Sequence, residues 1–335
     1  YNGTAEADAS IKLPVVDFFS LNVKFHSADS GPVLNLIGWD PGIPPGKVDG
    51  ELSSSGSTFG PYGRFVYKAL GPEQRAWIKG YRTPVNDVLN RIKDIKGDFS
   101  MREDILSLTN LQLGTALSKA DANGTLDLAG KTLNLKSRIH TENVSDFALP
   151  YYRELKGRGD FNGDVKGTFE DPRIDGRFTL ASGVIEGYKS DSVITDMSYR
   201  KNLLEVRVAV FRSSGEEHMI KGRIAFPEAA YLFDLSNPVY DLRASIRNAE
   251  FGQAVRIFYR DFVATGRLNG DFRIEGRNLD PEVSGKVSVG KASVYKIPFD
   301  LGTTALTYSG RALSLNKVKI VKGKSVVDGE ARFLS

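Results

Sequence analysis

The sequence predicts an all-β protein: an elongated, repeat-built antiparallel sheet that curls around its own apolar face, with a few short amphipathic helices between repeats. Three observations point there. A glycine frame recurs along the chain, apolar and polar residues alternate at period two, and turn signals stand at short intervals.

The frame is G-x-x-x-G-x-x-x-x-x-G in Gly46-Lys-Val-Asp-Gly50-Glu-Leu-Ser-Ser-Ser-Gly56 and in Gly266-Arg-Leu-Asn-Gly270-Asp-Phe-Arg-Ile-Glu-Gly276. Gly159-Asp-Phe-Asn-Gly163-Asp-Val-Lys-Gly167 is a shorter version. Placing Asp171-Pro172 on Asp280-Pro281, an offset of 109, also superimposes Gly167 on Gly276, Gly176 on Gly285 and Tyr199 on Tyr308. Further on, Lys221-Gly222-Arg-Ile-Ala-Phe226 faces Asp328-Gly329-Glu-Ala-Arg-Phe333 after a slip of two residues, the mark of one turn changing length. Four approximate repeat units follow, 1–83, 84–142, 143–247 and 248–335, in one continuous body without a linker.

Alternation supplies the strands. Leu204-Glu-Val-Arg-Val-Ala-Val210, Leu133-Asn-Leu-Lys136, Asp271-Phe-Arg-Ile-Glu275 and Val318-Lys-Ile320 each put apolar side chains on one face and polar ones on the other. The 34 glycines among 335 residues suit many short strands and turns. A chain of this length forms roughly twenty strands. So large an apolar face must close as a barrel, pack as a sandwich or curl around something apolar. Repetition without a closing pattern favours the curled, open form, and Gly163, Gly176 and Gly285 permit strand bending.

Helices are few. Thr83-Pro84 caps a stripe of Val85, Val88, Leu89, Ile92 and Ile95 that Gly97 closes. Pro150 to Lys156 and Ala249 to Phe262 read as two more, and Ser30 to Ile37 as a fourth, each ahead of a glycine-framed strand pair. The aromatic-rich Phe251 to Phe262 reads first as a helix packed on the end of its sheet, and second as a lipid contact.

Composition excludes several chemistries. With 41% hydrophobic residues the chain can bury a core, and with no cysteine it has no disulfide, thiolate metal site or cysteine nucleophile. His26, His140 and His218 stand in no ligand-spaced cluster. Asp121-Ala-Asn-Gly-Thr-Leu-Asp127 lacks the glycine position and final acid of a calcium loop and reads as an Asn-Gly hairpin turn. Gly157-Arg-Gly159 is preceded by its helix instead of followed by one, which excludes a phosphate loop. Net charge is only +4, with no basic block, so no nucleic-acid partner is expected. The chain reads as no enzyme, with no catalytic residue, cofactor or metal.

In Leu155 to Leu180 and again in Thr265 to Val289, a short helix leads into Gly-x-x-x-Gly-Asp-hydrophobic-x-hydrophobic-x-Gly. Asp-Pro-x-hydrophobic-x-Gly-x-hydrophobic follows, then an apolar run and a tyrosine strand. This pattern resembles the periplasmic AsmA-like family, of the AsmA/TamB type, well over Asn143 to Ser335 and more loosely before. The resemblance implies a β-taco, a U-shaped sheet with a hydrophobic groove in the periplasm of a Gram-negative-type envelope. It further implies a bridge-like lipid transfer protein whose inner-membrane anchor lies outside this stretch.

The expected function is therefore a lipid-transport module that shields phospholipid acyl chains between inner and outer membranes. The alternative is an envelope assembly module that helps insert outer-membrane β-barrel proteins, with outer-membrane assembly proteins as partners. Candidate groove residues are Leu126, Leu128, Leu133, Leu135, Phe178, Leu180, Leu204, Val206, Val208, Val210, Phe272, Ile274, Leu313, Leu315, Val318 and Ile320.

Overall fold

A computed structural model describes residues 3–12, 18–30, 46–56, 60–69, 91–146, 155–185, 188–228, 237–256, 263–277, 280–310 and 312–334. Strands take up 83% of them. The chain divides into two compact units, 1–176 and 177–335. The first holds β1 (Thr4–Lys12), β2 (Phe18–Asp29), β3 (Gly46–Gly56), β4 (Tyr62–Ala69), β5 (Asp94–Arg102), β6 (Ile105–Gly114), β7 (Ser118–Asp127), β8 (Thr132–Thr141) and β9 (Leu155–Thr168). The division falls inside β10 (Pro172–Ile185). The second holds β11 (Tyr188–Arg200), β12 (Leu203–Ser213), β13 (Glu216–Ala225), β14 (Val239–Glu250), β15 (Ala264–Arg277), β16 (Asp280–Val294), β17 (Ile297–Ser309), β18 (Ala312–Lys322) and β19 (Ser325–Leu334).

The strands belong to one 19-stranded antiparallel sheet, and among the described residues it is not closed into a barrel. Each described register joins strands that follow one another in the chain, as in Thr4↔His26 for β1 with β2 and Ala312↔Leu334 for β18 with β19. Many of its connections are short turns, as at Ser214-Gly215 between β12 and β13 and Gly323-Lys324 between β18 and β19, while longer segments join β2 to β3 and β4 to β5. Gly167 and Gly276, equivalent under the repeat, adopt φ 113° and 108° where β9 and β15 approach their Asp-Pro turns.

Helix is scarce among the described residues. Among the described residues the only α-helix longer than one residue is α1 (Phe251–Arg256), beside a 3₁₀ turn at Val144–Asp146, and none of their helices is long and apolar enough to cross a membrane. The helix expected over 83–97 cannot reach Gly97, because Asp94 already begins β5; residues 83–90 lie outside the described set. Likewise Leu155 and Lys156 belong to β9 and Ala249 and Glu250 to β14. Residues 31–37, 150–154 and 257–262 of the other expected helices also lie outside the description.

Bulges interrupt the period-two pattern at related places. The register slips between Phe25 and Ala28, Leu108 and Leu111, Ile246 and Ala249, and Leu315 and Val318. In each case the residue before the second apolar one is left-handed: Ser27 (φ 49°), Asn110 (φ 53°), Asn248 (φ 57°) and Lys317 (φ 55°). The extra residue returns both flanking apolar side chains to the same face.

Three of these bulges are capped from the next strand. The N–H of Ser27 donates to Asp49 Oδ1 (3.0 Å), that of Asn110 to Asn123 Oδ1 (2.7 Å) and that of Asn248 to Asn269 Oδ1 (3.0 Å). Each acceptor precedes a glycine: Gly50, Gly124 or Gly270. The hairpin turn expected at Asn123-Gly124 is therefore corrected. The pair lies inside β7, opposite Lys136 and Leu135, because Asn123 is used to cap a bulge and Gly124 (φ 152°) passes close to the Asn134 carbonyl.

Candidate functional site

Residues directly opposite in an antiparallel ladder project to the same side, so the registers sort each unit into two faces. In the second unit one face carries Val193, Met197 and Tyr199 of β11, Leu204, Val206, Ala209 and Phe211 of β12, and Ile220 and Ile224 of β13. It continues through Leu242, Ala244 and Ile246 of β14, Leu268, Phe272 and Ile274 of β15, and Val283, Val287 and Val289 of β16. Leu306 and Tyr308 of β17 and Leu313, Leu315, Val318 and Ile320 of β18 complete it.

The opposite face of this unit carries the charges. Arg177 binds Asp196 through two hydrogen bonds (2.7 and 2.9 Å), Arg212 pairs with Glu217 (3.0 Å), Arg247 with Asp271 (2.8 Å) and Arg273 with Glu275 (2.7 Å). The Arg177 guanidinium holds the Asp196 carboxyl below its usual range. The Ser245 hydroxyl and Arg247 do the same for Asp271. Burial follows the division: Val206 and Leu242 are 9% exposed, whereas Lys221, Arg243 and Arg273 are exposed.

The first unit is sorted in the same way. Its apolar face takes Leu21, Val23 and Phe25 of β2, Val48 and Leu52 of β3, and Phe65 and Tyr67 of β4. Ile95, Phe99 and Met101 of β5, Leu106, Leu108, Leu111 and Leu113 of β6, Leu126 of β7, Leu133, Leu135 and Ile139 of β8, and Phe161 and Val165 of β9 extend it. Its polar face carries the pairs Arg64–Glu51 (3.1 Å) and His140–Asp160 (2.7 Å).

At one rim, segments between strands lie on these faces. In the second unit Phe251 and Ala254 of α1 pack on a cluster of Ala249, Leu268, Val287, Val289 and Ala292. Glu216, 9% exposed, anchors the start of α1: Oε1 accepts the Glu250 N–H (2.8 Å) and Oε2 meets His218 Nε2 (3.2 Å). In the first unit Ile92 packs on Val48 and Tyr67, and buried Asp146 accepts from the Ser118 hydroxyl (2.6 Å) and from that of Thr115. Carboxylates thus tie these segments down, each satisfied by several donors as burial demands.

Most candidate residues stand on the apolar faces: Leu126, Leu133, Leu135, Leu204, Val206, Phe272, Ile274, Leu313, Leu315, Val318 and Ile320. Phe178 and Leu180 stand two and four residues beyond Gly176 in β10, at the period of the Phe161 side, and Leu180 is 2% exposed. Three candidates are corrected. Leu128 lies in the turn after β7. Val208 and Val210 stand on the charged face, Val208 opposite Asp196 and Val210 opposite Ile194 and Met219, because a bulge after Val206 shifts the alternation.

Sequence reasoning missed other residues of these faces. Leu242, Ala244 and Ile246 alternate plainly in Tyr240-Asp-Leu-Arg-Ala-Ser-Ile246, so their signal was present. The face of the first unit before β7 carries a weaker signal, since Gly50, Gly63 and Gly97 occupy apolar-face positions.

Residues 211–331 match the family model of the TamB C-terminal domain, a stretch from Phe211 in β12 to Ala331 in β19. No curated protein and no solved structure matches the chain.

Proposed function

Proceeding from the similarity of residues 211–331 to a TamB C-terminal domain, as the AsmA/TamB resemblance of the repeats led one to expect, we propose that the chain is a periplasmic envelope module that shields phospholipid acyl chains. The observation that carries this reading is the separation of faces: apolar side chains recur on one side from β11 to β18 while the exposed arginine–carboxylate pairs stand on the other. Exposing an acyl chain to water costs about 0.8 kcal/mol per CH₂, on the order of 10 kcal/mol for about sixteen carbons. A sheet curled over an apolar face removes most of that barrier. Because bilayer and face are both apolar, transfer between them is close to neutral and needs no nucleophile, general acid or cofactor.

The binding is to acyl chains and nonspecific for headgroup, since the apolar face offers few hydrogen-bonding side chains to read one. A second reading has the same faces receive nascent outer-membrane β-barrel strands, supported by the exposed edge strand β19, where Val326, Val327 and Leu334 are exposed. Extraction of the purified chain for lipid mass spectrometry tests the first reading. Copurifying phospholipid of mixed headgroup is expected; no phospholipid and no uptake of a fluorescent fatty acid would remove it.

A further inference from the structure

We propose that the charged face of the second unit carries a binding site for a phosphate-bearing anion, formed by Lys221, Arg243, Arg273 and Lys286. These residues come from four different strands, β13 to β16, and the registers bring them into one open cleft of about 610 Å³. The site lies on the face opposite to the apolar one, so it stands or falls independently of the lipid reading.

Charge pairing across the strands fails at this cleft, and the row beside it fails in the opposite sense, with Asp241 opposite Glu275 and Glu275 opposite Glu282. Arg212 stands opposite Glu217 and Glu205 opposite Arg223, as cross-strand charge pairing favours. In the cleft, however, Lys221 stands directly opposite Arg243, and Arg243 directly opposite Arg273. Three cations in register repel one another, and the row ends on Ser284 instead of an acid.

Neighbouring acids relieve this only in part. Asp271, which also lines the cleft, is held by Arg247 (2.8 Å) and the Ser245 hydroxyl (2.7 Å). Arg273 is drawn to Glu275 (2.7 Å) and Asp241 (3.9 Å). Lys286 stands opposite Asp271, and Lys221 and Arg243 make no ion pair among the described residues; all three are exposed.

Such a surplus fits an anion with two or more charges. The row from Lys221 to Arg273 spans two strand spacings, about 10 Å, the reach of a pyrophosphate or of a phosphomonoester gripped from both sides. Arg243 at its centre offers a planar fork for paired phosphate oxygens, with lysines beside it as point charges.

Titration calorimetry of the chain with inorganic pyrophosphate at low ionic strength, where screening is least, tests the site. One saturable event is expected, weakened at least tenfold by Arg243→Gln and by Lys221→Gln. Lys319→Gln, which removes the same charge from the same face outside the cleft, leaves it unchanged. Arg243→Gln relieves two like-charge contacts, so its melting temperature stays level or rises, which separates lost binding from lost folding.

Cosedimentation with phosphatidylcholine vesicles, with and without phosphatidic acid, identifies the source. Arg243-dependent pelleting with phosphatidic acid assigns the site to a lipid headgroup, and pyrophosphate binding without vesicle preference assigns it to a soluble phosphate. Binding that survives Arg243→Gln, competition by polyglutamate as strong as that by pyrophosphate at equal charge, or no Arg243-dependent binding in either assay would overturn the proposal.

Discussion

The phenyl ring of Phe272 covers Gly285 on the neighbouring strand, so closely that a Cβ there would come 2.7 Å from Phe272 Cδ1 and would also collide with the Asp271 carbonyl. Phe161 covers Gly176 in the same way, with its ring 2.6 Å from where a Cβ would stand. Under the repeat offset Gly285 corresponds to Gly176, but Phe272 corresponds to Gly163 and Phe161 to Gly270. Phenylalanine and glycine have exchanged places two residues apart on one face, and a ring still protects the same cross-strand glycine. Gly285→Ala should therefore cost about 1–3 kcal/mol, the usual range for overpacking. Urea unfolding checks it, and unchanged stability would mean that the ring moves aside freely.

The capped bulges give a second expectation. Asn269→Ala removes the acceptor of the Asn248 N–H and should cost about 1 kcal/mol. Asn248→Val, a β-branched residue at φ 57°, should cost more than Asn248→Gly. Denaturation of the three variants checks the order; Val and Gly being equivalent would contradict the bulge geometry.

The faces give a third. Val206→Lys puts a charge on the apolar face and should cost several kcal/mol or unfold the unit. Val208→Lys places its charge opposite Asp196 and should stay within about 0.5 kcal/mol of the parent. Thermal melts of the two variants decide between this assignment and strict alternation, which predicts equal damage.

Alternation made the strands and most of the apolar face legible, because one-sided burial is written into period two. Leu313, Leu315, Val318 and Ile320 were readable in that way, even across a bulge. Val206-Arg-Val-Ala209 was not, since it spells unbroken alternation while the hydrogen-bond ladder skips a step. Asn123-Gly124 carries the local signal of a turn, and its use as a bulge cap depends on Asn110 in the strand before. The cation row is illegible for a related reason: Lys221, Arg243 and Arg273 are distant in sequence and meet only through register.

His140 offers a pH test. Its hydrogen bond to Asp160 (2.7 Å), and then that to Glu142 (3.2 Å), raise its pKa above the usual value near 6.5. A raised pKa means that the folded state favours the protonated ring. The contribution is complete below the unfolded value and is lost as pH climbs through the folded one. NMR titration should place the His140 midpoint above that of an unfolded peptide, and Asp160→Asn should lower it. An unshifted midpoint would contradict the pairing.

The most direct test of the lipid-shielding account uses neighbours that point opposite ways. Photocrosslinking residues placed at Leu242 and Ile274, on the apolar face, and at Arg243 and Glu275, beside them on the charged face, sample both sides within two adjacent strands. Irradiation in the native envelope followed by mass spectrometry should yield phospholipid adducts at Leu242 and Ile274 and none at Glu275, with any lipid at Arg243 confined to headgroup atoms. Polypeptide adducts without lipid at Leu242 and Ile274, or acyl-chain adducts at equal yield on both faces, would contradict it.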